Sequence, residues 1–528
     1  MSQPQPAGRV ARVVGAVHRK AFGLPPGGAP YTVERGRRVS TRDGAHLITD
    51  LYKPVGEAHG TVLIRTPYGR GLPESLFHGR AFADHGYQVV VQSVRGTGGS
   101  TGTFRPIVQE ADDAQDTVAW LRDQPWFTGH LATIGGSYLG WAQWALLRDP
   151  PPELRAAVVL VGPHDFARAI RGTGSLALAD FLGWSATVQA QGLRAMVAAR
   201  RRVTAALHEP TASRAAAAAL GDEGSWFAEW LAHPDLDDPF WTDYEAGSAL
   251  TGTRIPVLLI GGWHDVFVDQ TLEQFRLLDD HNDDVAMTIG PWTHLETAVK
   301  AARVSDSESL AWLDQHVAGT GPARTDQVRV YVTGAEQWRT LPTWPPKSSD
   351  QTLGLQATGQ LTEQPNATGG GVEFTYDPAD PTPAVGGRHM SGKAGRQDNR
   401  RLERRDDVVT FTSAVLEHDL DVIGTPQLHV WLDSDRPRAD VFVRLCEVDR
   451  RGRSWNVTES FSQFSPATEP RTIVLGSCAH RFRAGHRIRL QVSGGAYPRY
   501  ARQDGPCHYT IVCSGASLTL PVSPVQDS

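Results

Sequence analysis

The sequence predicts a parallel α/β domain interrupted by a block of helices and followed by an all-β sandwich. Three observations predict it. Between residues 44 and 160 short apolar strand signals alternate with helical ones. From about 165 to 248 the strand signal vanishes and Ala-rich helical spacing replaces it, before strands and helices resume. After about 325 the helix signal is gone, and segments alternate apolar and polar residues at period two. The 528 residues, 40% apolar and 21% charged, suffice for roughly two to four domains with sizeable cores.

LITDLYKP, TVLIRTPYG and YQVVVQSV read as strands, and ESLFHGRAFADHG, between the last two, has helical spacing. QEADDAQDTVAWLRDQ places acids in its first turn and apolar residues at Ala114, Val118 and Leu121, the pattern of an amphipathic helix. HLATIGGS is a short strand running into a turn, YLGWAQWALLRD a helix, and AAVVLVGP another buried strand. Continuous apolar strands between helices argue for a mostly parallel sheet covered on both faces. After the Ala-rich block, IPVLLIGGWHD, QTLEQFRLLDD, VAMTIGPW and SESLAWLDQHVAG restore the alternation. The block is therefore expected to be an insertion that caps the strand ends. The predicted boundaries are 1–164 and 249–325 for the two parts of the α/β domain, 165–248 for the cap and 326–528 for the β domain. In the last of these, QLHVWLDS, ADVFVRLCEV, RIRLQVSGG and SLTLPVS follow a Gly-, Pro-, Ser- and Thr-rich stretch from Pro345 to about Arg405, as in a sandwich or jelly roll.

Charge and composition exclude several classes. Lys plus Arg total 52 against 58 Asp plus Glu, a net charge of -6, so there is no phosphate-binding footprint and no nucleic-acid partner is expected. No stretch approaches 18 consecutive apolar residues, so no membrane span is expected. The N-terminal apolar residues are broken by Arg9, Arg12, His18, Arg19 and Lys20. They lack the continuous apolar core of a signal peptide, and a cytoplasmic location is the expectation. Cys446, Cys478, Cys507 and Cys513 form no CxxC pair. Buried free thiols are expected rather than a zinc site, and no metal or other cofactor is called for.

The sharpest chemical feature is Ile134-Gly135-Gly136-Ser137-Tyr138-Leu139-Gly140. A strand ends, the chain turns at small residues and a helix begins. That context pushes a serine hydroxyl out above a sheet and leaves the Tyr138 amide at a helix N-terminus, where it can donate to an oxyanion. The usual G-x-S-x-G is altered: Leu139 stands in the second glycine's place and Gly140 follows. Gly98-Gly99-Ser100-Thr101-Gly102 matches that pattern literally, but no helix follows it, so Ser100 is not expected to be a nucleophile. A serine needs a base, and the base an orienting carboxylate. Asp265 stands just past the strand VLLIGGWH, and His294 just past the next one, AMTIGPWT. The order Ser, acid, His suits a hydrolase of this kind, and the long gap before Asp265 holds the helical insertion. His264 and Asp269 are local competitors.

At these residues the chain resembles the cocaine esterase and X-Pro dipeptidyl-peptidase family of α/β-hydrolases. The resemblance rests on Thr66-Pro67-Tyr68, VVVQSVRGTGGSTGTF, GGSYLGW around Ser137, GGWHDVF around Asp265 and GPWTH around His294. It extends through GAEQWRTLPTWPP, NRRLERRDDVVTFTS and FRAGHRIRLQVSGGAYPRY, and covers about residues 35 to 520. It implies an α/β-hydrolase sheet with an inserted helical cap and a C-terminal β jelly-roll domain. It also implies a triad of Ser137, Asp265 and His294, and an oxyanion hole made by the Tyr68 phenol with the Tyr138 amide. Phe267 matches an acyl-pocket aromatic of the family, and Trp141, Phe181 and Trp184 are candidates for the same pocket. Relatives that bind α-amino acyl groups carry an acid soon after the oxyanion tyrosine. Here Arg70 stands there, from which a preference for neutral or anionic acyl groups is expected.

The expected function is thus a metal-independent serine hydrolase of a small-molecule ester or amide, acting through an acyl-enzyme. The alternatives are an X-Pro dipeptidyl peptidase, for which no acid clamping a peptide amino terminus is identifiable, and an acyltransferase on the same acyl-enzyme. A non-enzymatic, carbohydrate-binding role for the jelly roll is disfavoured by the complete triad. A homodimer is the one assembly kept open.

Overall fold

The computed structural model describes residues 5–6, 20, 27–71, 79–190, 193–221, 225–366, 369–466 and 469–525. The first sheet has eleven strands: β1 (Gln5–Pro6), β2 (Tyr31–Ser40), β3 (His46–Pro54), β4 (Thr61–Thr66), β5 (Gln88–Ser93), β6 (Leu131–Gly136), β7 (Leu154–Leu160), β8 (Val257–His264), β9 (Val285–Thr293), β10 (Val328–Val332) and β11 (Gln337–Leu341). Their spatial order is β1-β2-β3-β5-β4-β6-β7-β8-β9-β10-β11. From β5 to β10 all neighbours are parallel, while β1, β2, β3 and β11 add antiparallel edges. The parallel strands β4 and β5 are buried at every residue. Such strands need apolar cover on both faces, which explains their unbroken Val, Leu and Ile runs.

The helices are α1 (Ala81–Ala83), α2 (Glu110–Arg122), α3 (Tyr138–Leu147), α4 (Phe166–Arg171), α5 (Leu178–Gln189), α6 (Leu193–Ala206), α7 (Ala212–Leu220), α8 (Ser225–Ala232), α9 (Ser248–Gly252), α10 (Val268–Asp279), α11 (His294–Thr297) and α12 (Ala302–Leu313). Helices α4 to α9 lie in sequence between β7 and β8, so the Ala-rich block enters at the carboxyl end of β7. The helix read over 74–86 lies partly outside the described residues, and its described part is only the short α1. The N-terminal segment broken by basic residues also lies almost wholly outside them. Among the described residues no helix is long and apolar enough to cross a membrane.

The second sheet has twelve strands folded round their own apolar core, which includes Phe411, Leu432, Leu445, Leu490 and Leu518. Its organiser is the 17-residue strand Cys507–Ser523, which pairs with four others along its length. All four cysteines are buried free thiols of this domain. The chain does not change sheets at 326. β10 pairs in parallel with β9 and antiparallel with β11, so residues 328 to 341 extend the first sheet. Their period-two pattern is that of an edge hairpin, which sequence cannot distinguish from the first hairpin of a sandwich. Ile423, Phe442, Phe461, Ala479 and Tyr500 of the second domain join the core of the first, so the two domains share an apolar contact.

Candidate active site

The carboxyl ends of β4, β6, β8 and β9 carry the site. Strand order reverses where β6 sets off on the opposite side of β4 from β5, the kind of crevice in which parallel sheets bind ligands. Ser137 sits between β6 and α3 with φ 58° and ψ −121°. This left-handed backbone is costly for a residue with a Cβ and persists only where its surroundings hold it. Its amide donates to the Leu160 carbonyl at 2.9 Å, which fixes the turn against β7.

Small residues make the turn possible. A Cβ on Gly135 would lie 2.4 Å from the Leu139 Cβ, and one on Gly140 would lie 2.7 Å from the Gly162 Cα. The displaced second glycine therefore has a geometric cause. Leu139 folds back over Gly135, and Gly140 is where α3 meets the backbone that follows β7.

Asp265 and His294 are brought side by side by register, because the β8–β9 ladder pairs His264 with Thr293. The His294 Nδ1 lies 2.6 Å from Asp265 Oδ1, and its Nε2 lies 3.0 Å from Ser137 Oγ. A carboxylate at Nδ1 requires the proton there, so Nε2 offers its lone pair to the serine hydroxyl. Asp265 is fully buried, and its second oxygen accepts from the Phe267 amide at 3.2 Å. His294 opens α11, whose Thr293 and Glu296 form a reciprocal capping box. That cap holds the histidine backbone at the strand end.

Two groups bear on the expected oxyanion hole. The Tyr138 amide is the first of α3, where no carbonyl lies one turn back to accept from it. Its side chain is engaged elsewhere: the buried phenol donates to Glu110 Oε1 at 2.7 Å and accepts from the Ile107 amide at 3.1 Å. Tyr68 lies two residues past β4. β4 is hydrogen-bonded to β6 with Leu63 opposite Thr133, so the loop carrying Tyr68 leaves the same edge of the sheet as the Ser137 turn. Its phenol oxygen accepts from the Trp184 indole N–H at 3.1 Å, and Tyr68 is 37% exposed.

Aromatic rings complete the surroundings. Trp184, on α5, stacks on the Tyr138 ring at 5.9 Å and 14° and on Trp230 at 6.2 Å and 25°. Phe166 meets Trp184 edge-on at 5.7 Å. Phe267 meets the His294 ring edge-on at 5.3 Å. Trp141, on α3, is 1% exposed and packs within the first core. Among the described residues no group of three or more His, Cys, Asp or Glu side chains is arranged to hold a metal ion.

The model of the X-Pro dipeptidyl-peptidase (S15) family matches residues 43–296, and that of the X-Pro dipeptidyl-peptidase C-terminal non-catalytic domain matches residues 320–516. The chain belongs to the cocaine esterase and X-Pro dipeptidyl-peptidase family of α/β-hydrolases. Cocaine esterase from Rhodococcus sp. (strain MB1 Bresler) is 29% identical over 536 residues, covering 89% of this chain and 92% of that one. Among solved structures, an aminopeptidase from a marine sediment Thaumarchaeota archaeon superposes with a TM-score of 0.80 at 21% identity, over 94% of this chain and 96% of that one. An α-amino acid ester hydrolase does so with a TM-score of 0.79 at 23% identity, over 93% and 97%. At those identities the two structures bear on the fold alone. Membership of the family makes this chain a serine hydrolase of esters or amides.

Against that family background the structure corrects one expectation. Arg70 does not face the serine. Its guanidinium donates to Asp50 Oδ1 at 3.2 Å, to the Gly98 carbonyl at 2.8 Å and to the Ser93 hydroxyl. Asp50 and Ser93 lie on β3 and β5, on the far side of β4 from Ser137. Arg70 thus buttresses the Gly98–Gly99 loop, and nearness in sequence to Tyr68 misrepresented its direction. Ser100 is structural as well, since its hydroxyl donates to the Ser93 carbonyl at 2.9 Å and accepts from the Ile48 amide at 2.8 Å.

The local competitors for the acid and base are also accounted for. Asp269 accepts from Arg388 at 2.8 Å and from the Ser477 amide at 3.2 Å, tying α10 to the C-terminal domain. Arg388 donates in addition to the Trp263 carbonyl at 3.1 Å, two residues before Asp265. Burial lowers the His264 imidazole to a pKa of about 4.

One buried acid within reach of the charges of these residues had no place in the sequence reading. Asp180, on α5, is 4% exposed. One oxygen accepts from the Met390 amide at 2.8 Å, while Oδ2 has no hydrogen-bond partner. Burial raises its pKa to about 6, against the pull of the Arg499 charge. The charges of His294 and Asp265 also reach it. Only its place in the first turn of a helix marked it in the sequence, and that signal reads equally as an ordinary helix-start acid.

Proposed function

We propose that Ser137 is the nucleophile, His294 the general base and acid, and Asp265 the residue that holds the imidazole tautomer. The supporting observation is the unbroken hydrogen-bonded path from Ser137 Oγ through His294 to Asp265, on a serine with left-handed backbone. In this reading Ser137 attacks the substrate carbonyl as its proton passes to His294 Nε2. The resulting oxyanion is met by the Tyr138 amide and the Tyr68 phenol. The protonated imidazole then gives its proton to the leaving group, and a water activated by the same His294 hydrolyses the acyl-enzyme.

The preferred substrate is a neutral ester with an apolar or aromatic acyl group. Phe267, Trp184 and Phe166 supply aromatic faces around the serine, and the Rhodococcus relative is named for an ester. With Arg70 turned away, nothing in this site calls for an anionic acyl group. Ser137→Ala should lower kcat by roughly 10⁴- to 10⁶-fold, and a fluorophosphonate should label Ser137. Labelling at Ser100, or full activity of Ser137→Ala, would overturn the assignment.

A second reading has one observation in its favour. The buried Asp180 carboxyl, with a partnerless oxygen near the site, is a candidate partner for a substrate ammonium, as an aminoacyl ester or a peptide amino terminus would need. The two readings separate on kcat/KM for an α-amino ester and its N-acetylated counterpart at pH 8, where Asp180 is charged. A preference for the free amine that Asp180→Asn abolishes selects the second reading.

A further inference from the structure

A cavity lies away from Ser137, where the β10–β11 hairpin meets the second domain. It holds about 490 Å³, within the range of about 300–1,000 Å³ that suits a small-molecule site. Its floor is the β10–β11 hairpin turn at Gly334 and Glu336. Its walls are two turns of the second domain, at 449–453 and 483–486, together with Arg396. None of the residues read as the catalytic site lines it.

Five guanidiniums line this space, those of Arg396, Arg450, Arg451, Arg453 and Arg483, against the carboxylates of Glu336, Glu447 and Asp449. The chain as a whole carries a net charge of -6, so a local excess of cations runs against its general balance. Two of the carboxylates are already committed. Glu447 accepts from His486 at 2.8 Å and from the Arg483 amide at 3.1 Å, and lies 3.7 Å from Arg396. Asp449 accepts from the amides of Arg451 and Arg453 at 2.9 and 3.0 Å, from the Arg453 guanidinium at 2.8 Å and from the Trp455 indole at 3.2 Å. Against the opposing effect of burial, His480 at 3.5 Å, with the Arg483 amide and His486, holds Glu447 at a pKa of about 2, and the Arg453, Trp455 and Arg451 contacts hold Asp449 at about 2, so both remain charged but occupied.

Among the described residues three of these guanidiniums meet no carboxylate. Among the described residues Arg451 forms no ion pair. Arg450 meets the Ala484 carbonyl at 3.1 Å, and Arg483 meets only the Gly334 carbonyl. The geometry is built for them. A Cβ on Gly485 would lie 2.4 Å from the Arg450 Nε, so the glycine lets that side chain lie over the turn. Trp455 is covered by Arg396 at 4.5 Å and by Arg453 at 5.1 Å. Those contacts fix two guanidiniums in place and leave no aromatic face for a ligand to stack on.

We propose that this cavity binds a small oxyanion carrying two or more negative charges, the chemistry shared by phosphate esters and di- or tricarboxylates. Guanidinium forks match both groups bidentately. Binding at a junction of both domains would also strengthen their contact.

The test is calorimetric titration of the full chain with sodium pyrophosphate and with citrate, at fixed ionic strength, with acetate as the monovalent control. Saturable binding of at least one, with Kd on the order of 0.1–1 mM, is expected from a few charge-assisted contacts. Arg451→Glu should weaken it by about tenfold or more, through charge reversal, and Arg450→Glu should do the same. Hydrolysis of a neutral ester by either variant should match the wild type, which establishes that the fold persists. Binding of pyrophosphate alone assigns phosphate chemistry, and binding of citrate alone assigns carboxylate chemistry. No saturable heat from either, a response no greater than to acetate, or unaltered binding in both variants would overturn the proposal.

Discussion

The indole N–H of Trp184 donates to the phenol oxygen of Tyr68 at 3.1 Å, which ties the helical insertion to the loop after β4. A phenol oxygen that accepts one hydrogen bond becomes a better donor through its own O–H, because successive bonds polarise one another. Trp184 is then a positioning residue for the proposed oxyanion donor. Tyr68→Phe should lower kcat by about 10²- to 10³-fold with KM little changed. Trp184→Phe keeps an aromatic ring against Tyr138 but loses the donor, and should lower kcat by about two- to tenfold, the worth of one net hydrogen bond. In the Tyr68→Phe background the Trp184→Phe cost should vanish. Persistence of the full cost there would show that Trp184 acts by packing alone.

Asp265→Asn preserves shape but allows the wrong imidazole tautomer, since an amide N–H facing Nδ1 would favour the proton on Nε2. The expected loss in kcat is about 10⁴-fold, with near-native thermal stability because the Phe267 amide can still be accepted. Steady-state kinetics together with thermal unfolding of the variant check this. Activity within tenfold of wild type would remove Asp265 from the proposed triad.

Asp180 predicts a pH-dependent stability. Its folded pKa is raised to about 6 from an ordinary value of 3.8. Below pH 3.8 the carboxyl is neutral folded and unfolded, and no penalty applies. As pH rises through 6 the unfolded form is already ionised, and the folded state bears the cost of a buried charge. Asp180→Asn should therefore stabilise the protein at pH 8 by up to about 3 kcal/mol, with the gain shrinking toward zero at pH 4. Paired thermal melts at the two pH values read this out, and an equal shift at both would refute the buried-charge account.

The altered serine motif makes a further prediction. Gly140→Ala would drive a Cβ to 2.7 Å from the Gly162 Cα, at a cost of about 1–3 kcal/mol of stability. Leu139→Gly, which restores the usual glycine spacing, removes a side chain that packs over Gly135, at about 2–5 kcal/mol. Chemical denaturation should show both variants less stable than wild type. A stabilised Leu139→Gly would mean that the departure from the usual motif has no packing cause.

Features carried by short stretches of chain were legible without the structure. The strand, the tight turn and the helix around Ser137 are local, so glycine spacing and apolar runs report them. Asp265 and His294 were legible for a related reason: each follows a strand of a parallel sheet, and parallel neighbours end at the same edge. Which sheet the β10–β11 hairpin joins was not legible, because alternation at period two describes an edge of either sheet.

What the sequence by itself determined was therefore the order of strands and helices, the elbow serine, and the acid and histidine that stand past the next strand ends. Tertiary structure alone decided where side chains turn once those elements pack. Arg70 is two residues from Tyr68 along the chain, yet it pairs with Asp50 on β3. Trp184 reaches Tyr68 across 116 residues of sequence. Asp180 acquires its raised pKa from burial beneath Met390. The five arginines of the junction cavity come from three separate segments of chain. Periodicity and local turn chemistry encode which face of an element is apolar. They do not encode which distant polar group that face will meet, because that depends on register, crossing and insertion geometry summed over the whole chain.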